Sequence, residues 1–156
     1  MGMGLRRMID IPPVWLAGFL LASYAIAAIW PVRFAGLRMI GLGLGLLGVV
    51  VLLAAAAQML ARRTTVHPHG QPAALVTGGL FRLSRNPIYL ADALILTGLT
   101  LWWDGLWALL LVPPFMALIG RRFIGPEEDR LRAAFGAAAD DYMKRTRRWL
   151  WARIRT

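Results

Sequence analysis

The sequence predicts an all-α integral membrane bundle of about four transmembrane helices. A C-terminal amphipathic helix covers its cytoplasmic side, and the whole of residues 1–156 forms one membrane domain. Three observations predict this. Hydrophobic residues make up 58% of the 156 and charged residues only 17%, more apolar surface than a soluble domain of this size hides. Apolar runs recur at 11–30, 36–61, 87–103 and 106–120, almost free of charge. The basic residues are distributed with one sidedness: threading four spans from an inside N-terminus puts sixteen of the 18 Lys and Arg on one face, as the positive-inside rule requires. Both termini are therefore expected in the cytoplasm, in a multi-pass protein of the cell inner membrane. The net charge of +10 is accounted for by this sidedness and by anionic headgroups, so no nucleic-acid partner is expected.

The first run, 11–30, opens on Pro12 and Pro13. Its twenty residues cover ~30 Å at ~1.5 Å each, the thickness of a hydrocarbon core. It is too long for a cleaved signal peptide and lacks a small-x-small cleavage site. The second run, 36–61, contains Gly43-Leu44-Gly45-Leu46-Leu47-Gly48. These letters match a dinucleotide fingerprint, but no strand precedes them and no acid follows. Gly41 and Gly45 fit instead as small residues that admit a neighbouring helix. The polar connection 62–86 carries His67-Pro68-His69, which without a third ligand reads as a solvated loop, and no metal site is expected. Cysteine is absent, so there is no thiolate chemistry and no disulfide.

The third and fourth runs are short for full crossings and read as a tight helical hairpin. Trp102, Trp103 and Trp107 anchor its tip, and Pro113 and Pro114 are expected to kink its second arm. Gly125-Pro126-Glu127-Glu128 then starts a helix, with acids where the dipole favours them. Apolar residues at helical spacing carry it over about 127–143 as an amphipathic, membrane-surface helix. The tail mixes arginines with Trp149 and Trp151, an interfacial anchor.

Candidate function concentrates at residues 75–92. Asn86 is placed to cap and Pro87 to occupy the first helical position. Gly78, Gly79, Arg82, Arg85, Asn86 and Tyr89 crowd the mouth of a helix entering the membrane. Asp92, one turn deeper, is an intramembrane acid. Such acids are costly and are paired or functional. Pairing with an arginine and a place beside the reacting group both remain open. Glu128 reads as a surface helix acid.

Leu75-Val76-Thr77-x-Gly79-x-Phe81-x-x-x-Arg85-Asn86-Pro87-x-Tyr89 precedes Glu127-Glu128-x-x-Leu131-x-x-x-Phe135-Gly136, with a Tyr and an Arg-Trp near the end. This pattern, over roughly residues 64–149, resembles the isoprenylcysteine carboxyl methyltransferases. These group with the phospholipid methyltransferases among integral membrane methyltransferases. The resemblance implies S-adenosylmethionine bound at the cytoplasmic helix ends. Leu75, Val76 and Phe81 would line the adenosine pocket, and Asn86, Pro87, Ile88 and Tyr89 its next wall. Arg82 and Arg85 would supply donors, and Glu127 would hold a polar end of the cofactor. Relatives acting on prenylcysteine often carry His at the Asn86 position and Tyr at the Phe81 position. Their substrate-linked arginine falls at Phe123 here, which makes the adjacent Arg122 the substrate candidate. The implied acceptor is a lipophilic or lipid molecule offering a carboxylate or an amine. For an amine, Asp92 or Glu127 would take the proton. The rival from another class is a non-catalytic protein of the same fold that binds anionic lipid or a protein partner. Oligomeric state is not legible.

Overall fold

The computed structural model describes residues 10–63 and 73–150. Arg6, Arg7, the His67-Pro68-His69 segment and Trp151 lie outside these residues. Helices carry the described chain, and no strand occurs among its residues. Helix α1 is Pro12–Ile29 and α2 is Leu37–Ala61. A single turn, α3, Leu80–Leu83, leads into α4, Pro87–Trp102. The fourth segment begins as a 3₁₀ helix at Leu106–Leu111 and becomes α5 at Val112–Ile119. It widens to a π turn at Gly120–Ile124 and continues as α6, Gly125–Phe135. Helix α7, Ala137–Arg145, follows.

Among the described residues, three segments are long and apolar enough to cross a membrane: Pro12–Ile29, Leu37–Ala61 and the 30-residue Leu106–Phe135. Helix α4 has 16 residues, about 24 Å of rise, and is the shorter partner. Helices α2 and α4 form the most extensive contact in the bundle. A Cβ on Gly98 would lie 2.3 Å from the Gly45 nitrogen and 2.6 Å from the Gly41 oxygen. One on Gly48 would lie 2.9 Å from the Ala91 oxygen. Only glycine permits this approach, as expected of small residues between membrane helices. Gly41 and Gly48 present their missing side chains to α4, whereas Gly45 contributes its backbone.

Three expectations are corrected. The fourth span does not end at Gly120. The π turn absorbs an extra residue without a break, so the span and the Glu127 helix form one continuous rod. The amphipathic helix is instead interrupted at Gly136, whose φ of +52° is one glycine adopts freely. Pro113 and Pro114 sit in the first turn of α5. There a missing N–H leaves no bond unmade, and they mark the passage from 3₁₀ to α geometry.

The end of the bundle holding the α1–α2 loop is tied to the turn after α4. Asp104 accepts from Arg38 Nη2 at 2.6 Å and lies 3.8 Å from Arg33 Nε. Its carbonyl accepts from the Val32 N–H at 2.8 Å. The hydrogen bond from Arg38 holds the Asp104 carboxyl below the usual carboxylate range.

Candidate functional site

At the opposite end, an Asn-Pro dipeptide starts α4 and sets its first turn. Pro87 takes the first helical position. Asn86 occupies the cap position, but its side chain makes no cap bond, contrary to expectation. Its Nδ2 donates to the Arg148 carbonyl at 3.2 Å, and its N–H donates to Ser84 Oγ at 3.1 Å. Ser84 Oγ in turn donates to the same Arg148 carbonyl at 3.1 Å. The Arg85 N–H donates to the Arg147 carbonyl at 2.8 Å. The C-terminal segment is thus hydrogen-bonded across the helix mouth, and Trp149 joins the core around Tyr89 and Phe123.

Glu128 is buried, 5% exposed, which overturns its reading as a surface acid. Arg85 Nη1 lies 3.0 Å from its Oε1, and Arg148 Nε donates to Oε1 at 3.0 Å. Arg148 Nη2 also donates to Oε2. Burial pulls the Arg85 pKa down, opposed by the Glu128 charge. The hydrogen bond to Glu128 raises that of Arg148. The charged triad closes on itself, apart from Arg85 Nε, which has no partner among the described residues.

Glu127, one residue earlier, faces elsewhere and accepts from the Tyr89 hydroxyl at 3.1 Å. Both line a cavity of about 290 Å³. Asn86, Pro87, Ile88 and Asp92 of the α4 entry share it, as do Phe81 and Arg85. The facing wall is Pro12, Pro13 and Leu16 of α1 with Leu52 and Met59 of α2. Asp92 is 6% exposed, and its carboxylate has no hydrogen-bond or ion-pair partner among the described residues. The arginine pairing left open in the sequence is therefore not made among them.

Eight of the twelve residues singled out by sequence thus meet around one cavity. Leu75 and Val76 do not line it. They pack behind Phe81 in a cluster with Ala55 and Tyr142, and Leu75 and Arg82 face a separate hollow. The Tyr142 hydroxyl donates to the Phe81 carbonyl at 2.7 Å, and burial raises its pKa, so it stays a donor. Arg122 is also elsewhere, with its Nε 2.6 Å from Asp10 Oδ1. Sequence reasoning missed Gln58, whose Oε1 accepts from the Leu80 N–H at 3.2 Å and pins the Phe81 turn to α2. It also missed Ser84 and Arg148. No local signal marks them, because their partners are distant in the chain.

The fold is that of an integral membrane helical bundle with an acid-lined cavity at one end. The chain belongs to the phospholipid methyltransferase family, whose match covers residues 37–138. Family membership assigns methyl transfer to membrane lipids or related substrates. No curated protein and no solved structure matches the chain.

Proposed function

We propose that the protein transfers a methyl group from S-adenosylmethionine to a lipophilic amine, with the cavity around Tyr89, Asp92 and Glu127 as the reaction site. The observation that carries this reading is the pair of carboxylates on the cavity wall in a chain of net charge +10. Arg85, the cation among the lining residues, is tied to Glu128. Such a cavity suits cationic ligands, and S-adenosylmethionine carries a sulfonium and an ammonium. Phe81, Pro87 and Met59 offer apolar surface for a nucleobase. The volume lies at the lower edge of the ~300–1,000 Å³ usual for ligand sites.

The cofactor supplies an already activated methyl group, so the protein's work is alignment, exclusion of water and proton removal. Tyr89 and Glu127 hold a polar end of the cofactor. Helices α1 and α2 supply the apolar wall opposite α4. An amine acceptor must lose a proton, and Asp92, a carboxylate with no cation against it, takes that proton as general base. A carboxylate acceptor would need no base and would be repelled by Asp92. The positive-inside bias supports placing this end, with both chain termini, in the cytoplasm of the inner-membrane protein.

Calorimetric titration of the purified full-length protein with S-adenosylhomocysteine tests the reading. We expect saturable binding, weakened about tenfold or more by Glu127→Gln through loss of a charged hydrogen-bond acceptor. Absence of binding to the unaltered protein would favour a non-catalytic protein of the same fold.

A further inference from the structure

From Met39 to Ala61, helix α2 carries one polar side chain, Gln58. A polar group in a membrane helix calls for a partner. The Gln58 Oε1 accepts from the Leu80 N–H at 3.2 Å. Leu80 is the first residue of α3, and the cap position before it is Gly79. Glycine has no side chain to bond a free N–H at a helix start. Gln58 therefore caps α3 from another helix. A helix of four residues does not persist by itself, so this outside bond decides whether the turn keeps its place.

Gly79 and Gln58 are fitted to each other. Gly79 has a φ of +57°, a conformation that favours glycine. A Cβ there would lie 1.8 Å from Gln58 Nε2 and 2.7 Å from its Cδ. The amide of Gln58 occupies the space that any other residue at position 79 would fill.

The turn held in this way carries Phe81. Phe81 is buried in a cluster with Ala55 of α2 and Tyr142 of α7, with Met59 packed against them. Ala55, Gln58 and Met59 are spaced i, i+3 and i+4 and share one face of α2. The face that supplies the cap thus also supports the ring. On the far side, the Phe81 carbonyl accepts from the Tyr142 hydroxyl. Phe81 lines the cavity and Gln58 does not.

We propose that Gln58 is a positioning residue for the cofactor: by capping α3 it holds Phe81 at the cavity wall and so sets affinity for the nucleoside end of S-adenosylmethionine. The ligand in this proposal rests on the methyl-transfer reading above. The cap rests on the Gln58–Gly79 contact. Gln58 acts through Phe81 and touches neither the methyl group nor the acceptor. Its loss weakens cofactor binding in the ground and transition states alike.

The test uses the full-length protein in detergent. Gln58→Leu removes the acceptor oxygen at similar size. Gln58→Glu keeps an acceptor there, ionised or not. Gly79→Ala displaces the amide while leaving α2 unaltered. Hydrogen exchange over residues 79–84, measured without ligand, should quicken about tenfold in Gln58→Leu and Gly79→Ala, the scale of a lost cap. Calorimetry should show S-adenosylhomocysteine affinity about tenfold lower in the same two variants. Gln58→Glu should restore both. 5′-Methylthioadenosine has the nucleoside but no amino-acid end. It should lose affinity by the same factor in Gln58→Leu, whereas Glu127→Gln should weaken only S-adenosylhomocysteine. Faster exchange with undiminished affinity would leave Gln58 a structural cap and overturn the proposal. So would a loss that Gln58→Glu does not restore, or one that spares methylthioadenosine. Binding that both Gln58→Leu and Gly79→Ala leave intact sinks the proposal alone. Absence of binding to the unaltered protein sinks the methyl-transfer reading, and the proposal with it.

Discussion

Each end of the bundle carries a carboxylate gripped by two arginines. At one end Asp104 is held by Arg38 and, at longer range, Arg33. At the other, Glu128 is held by Arg85 and Arg148. Cavity volume does not tell the ends apart: the hollow beside Asp104 measures about 340 Å³ and that beside Tyr89 about 290 Å³. Pairing of the lining acids does. Around the Asp104 hollow the lining acid has its arginines. Around the other, Glu127 accepts from Tyr89 and feels the charge of Arg130, while Asp92 is buried with no ion-pair partner among the described residues. A satisfied ion cluster joins helices, whereas a buried carboxylate with no cation of its own awaits a ligand.

That contrast is open to attack at each point. The largest effect belongs to the unpaired acid. Asp92→Asn should lower methyl transfer by about 10²–10⁴-fold, the range of a lost general base, and leave S-adenosylhomocysteine affinity unchanged. A normal rate in this variant would make Asp92 a mere wall. Next is the paired acid at the same end. Glu128→Gln leaves two guanidinium groups facing a neutral amide and should cost about 3 kcal/mol of stability. This is the low side of the cost of breaking buried pairs, because Arg148 reaches solvent. Thermal unfolding in detergent reads it. A melting temperature equal to wild type would dissolve the distinction between the two acids.

The smallest effect is at the far end. Because the Asp104 pKa is depressed on folding, its pair with Arg38 stabilises the protein above the ordinary carboxylate pKa. That contribution fades as the pH falls through the lower folded value. Stability should therefore decline on acidification below about pH 4. Asp104→Asn should flatten that part of the profile without changing S-adenosylhomocysteine affinity.

What could be read in the sequence was local. The Arg85-Asn86-Pro87-x-Tyr89 run builds its helix entry from adjacent residues, so its position at the cavity was legible, and so were the apolar runs that carry it. Glu127 was legible because its acid starts a recognisable helix. Glu128 was misread because its partners lie 20 residues ahead and 43 behind in the chain. Only the folded chain brings them together, and the π turn at Gly120–Ile124 decides which way each of the two acids points. Asn86 was assigned the bond its position allows, but the tail segment at Arg148 offers its side chain a different acceptor. Leu75 and Val76 were placed one layer too near the cavity, since a hydrophobic residue beside a site reads the same as one lining it.

Direct ultraviolet cross-linking of radiolabelled S-adenosylmethionine to the full-length protein, followed by mapping of the modified peptide, bears most directly on the central claim. The expected label lies on the stretch containing Phe81, Pro87 and Tyr89 and disappears with excess S-adenosylhomocysteine. A label at the Asp104 end, or none that S-adenosylhomocysteine displaces, would contradict the assignment of this cavity to the cofactor.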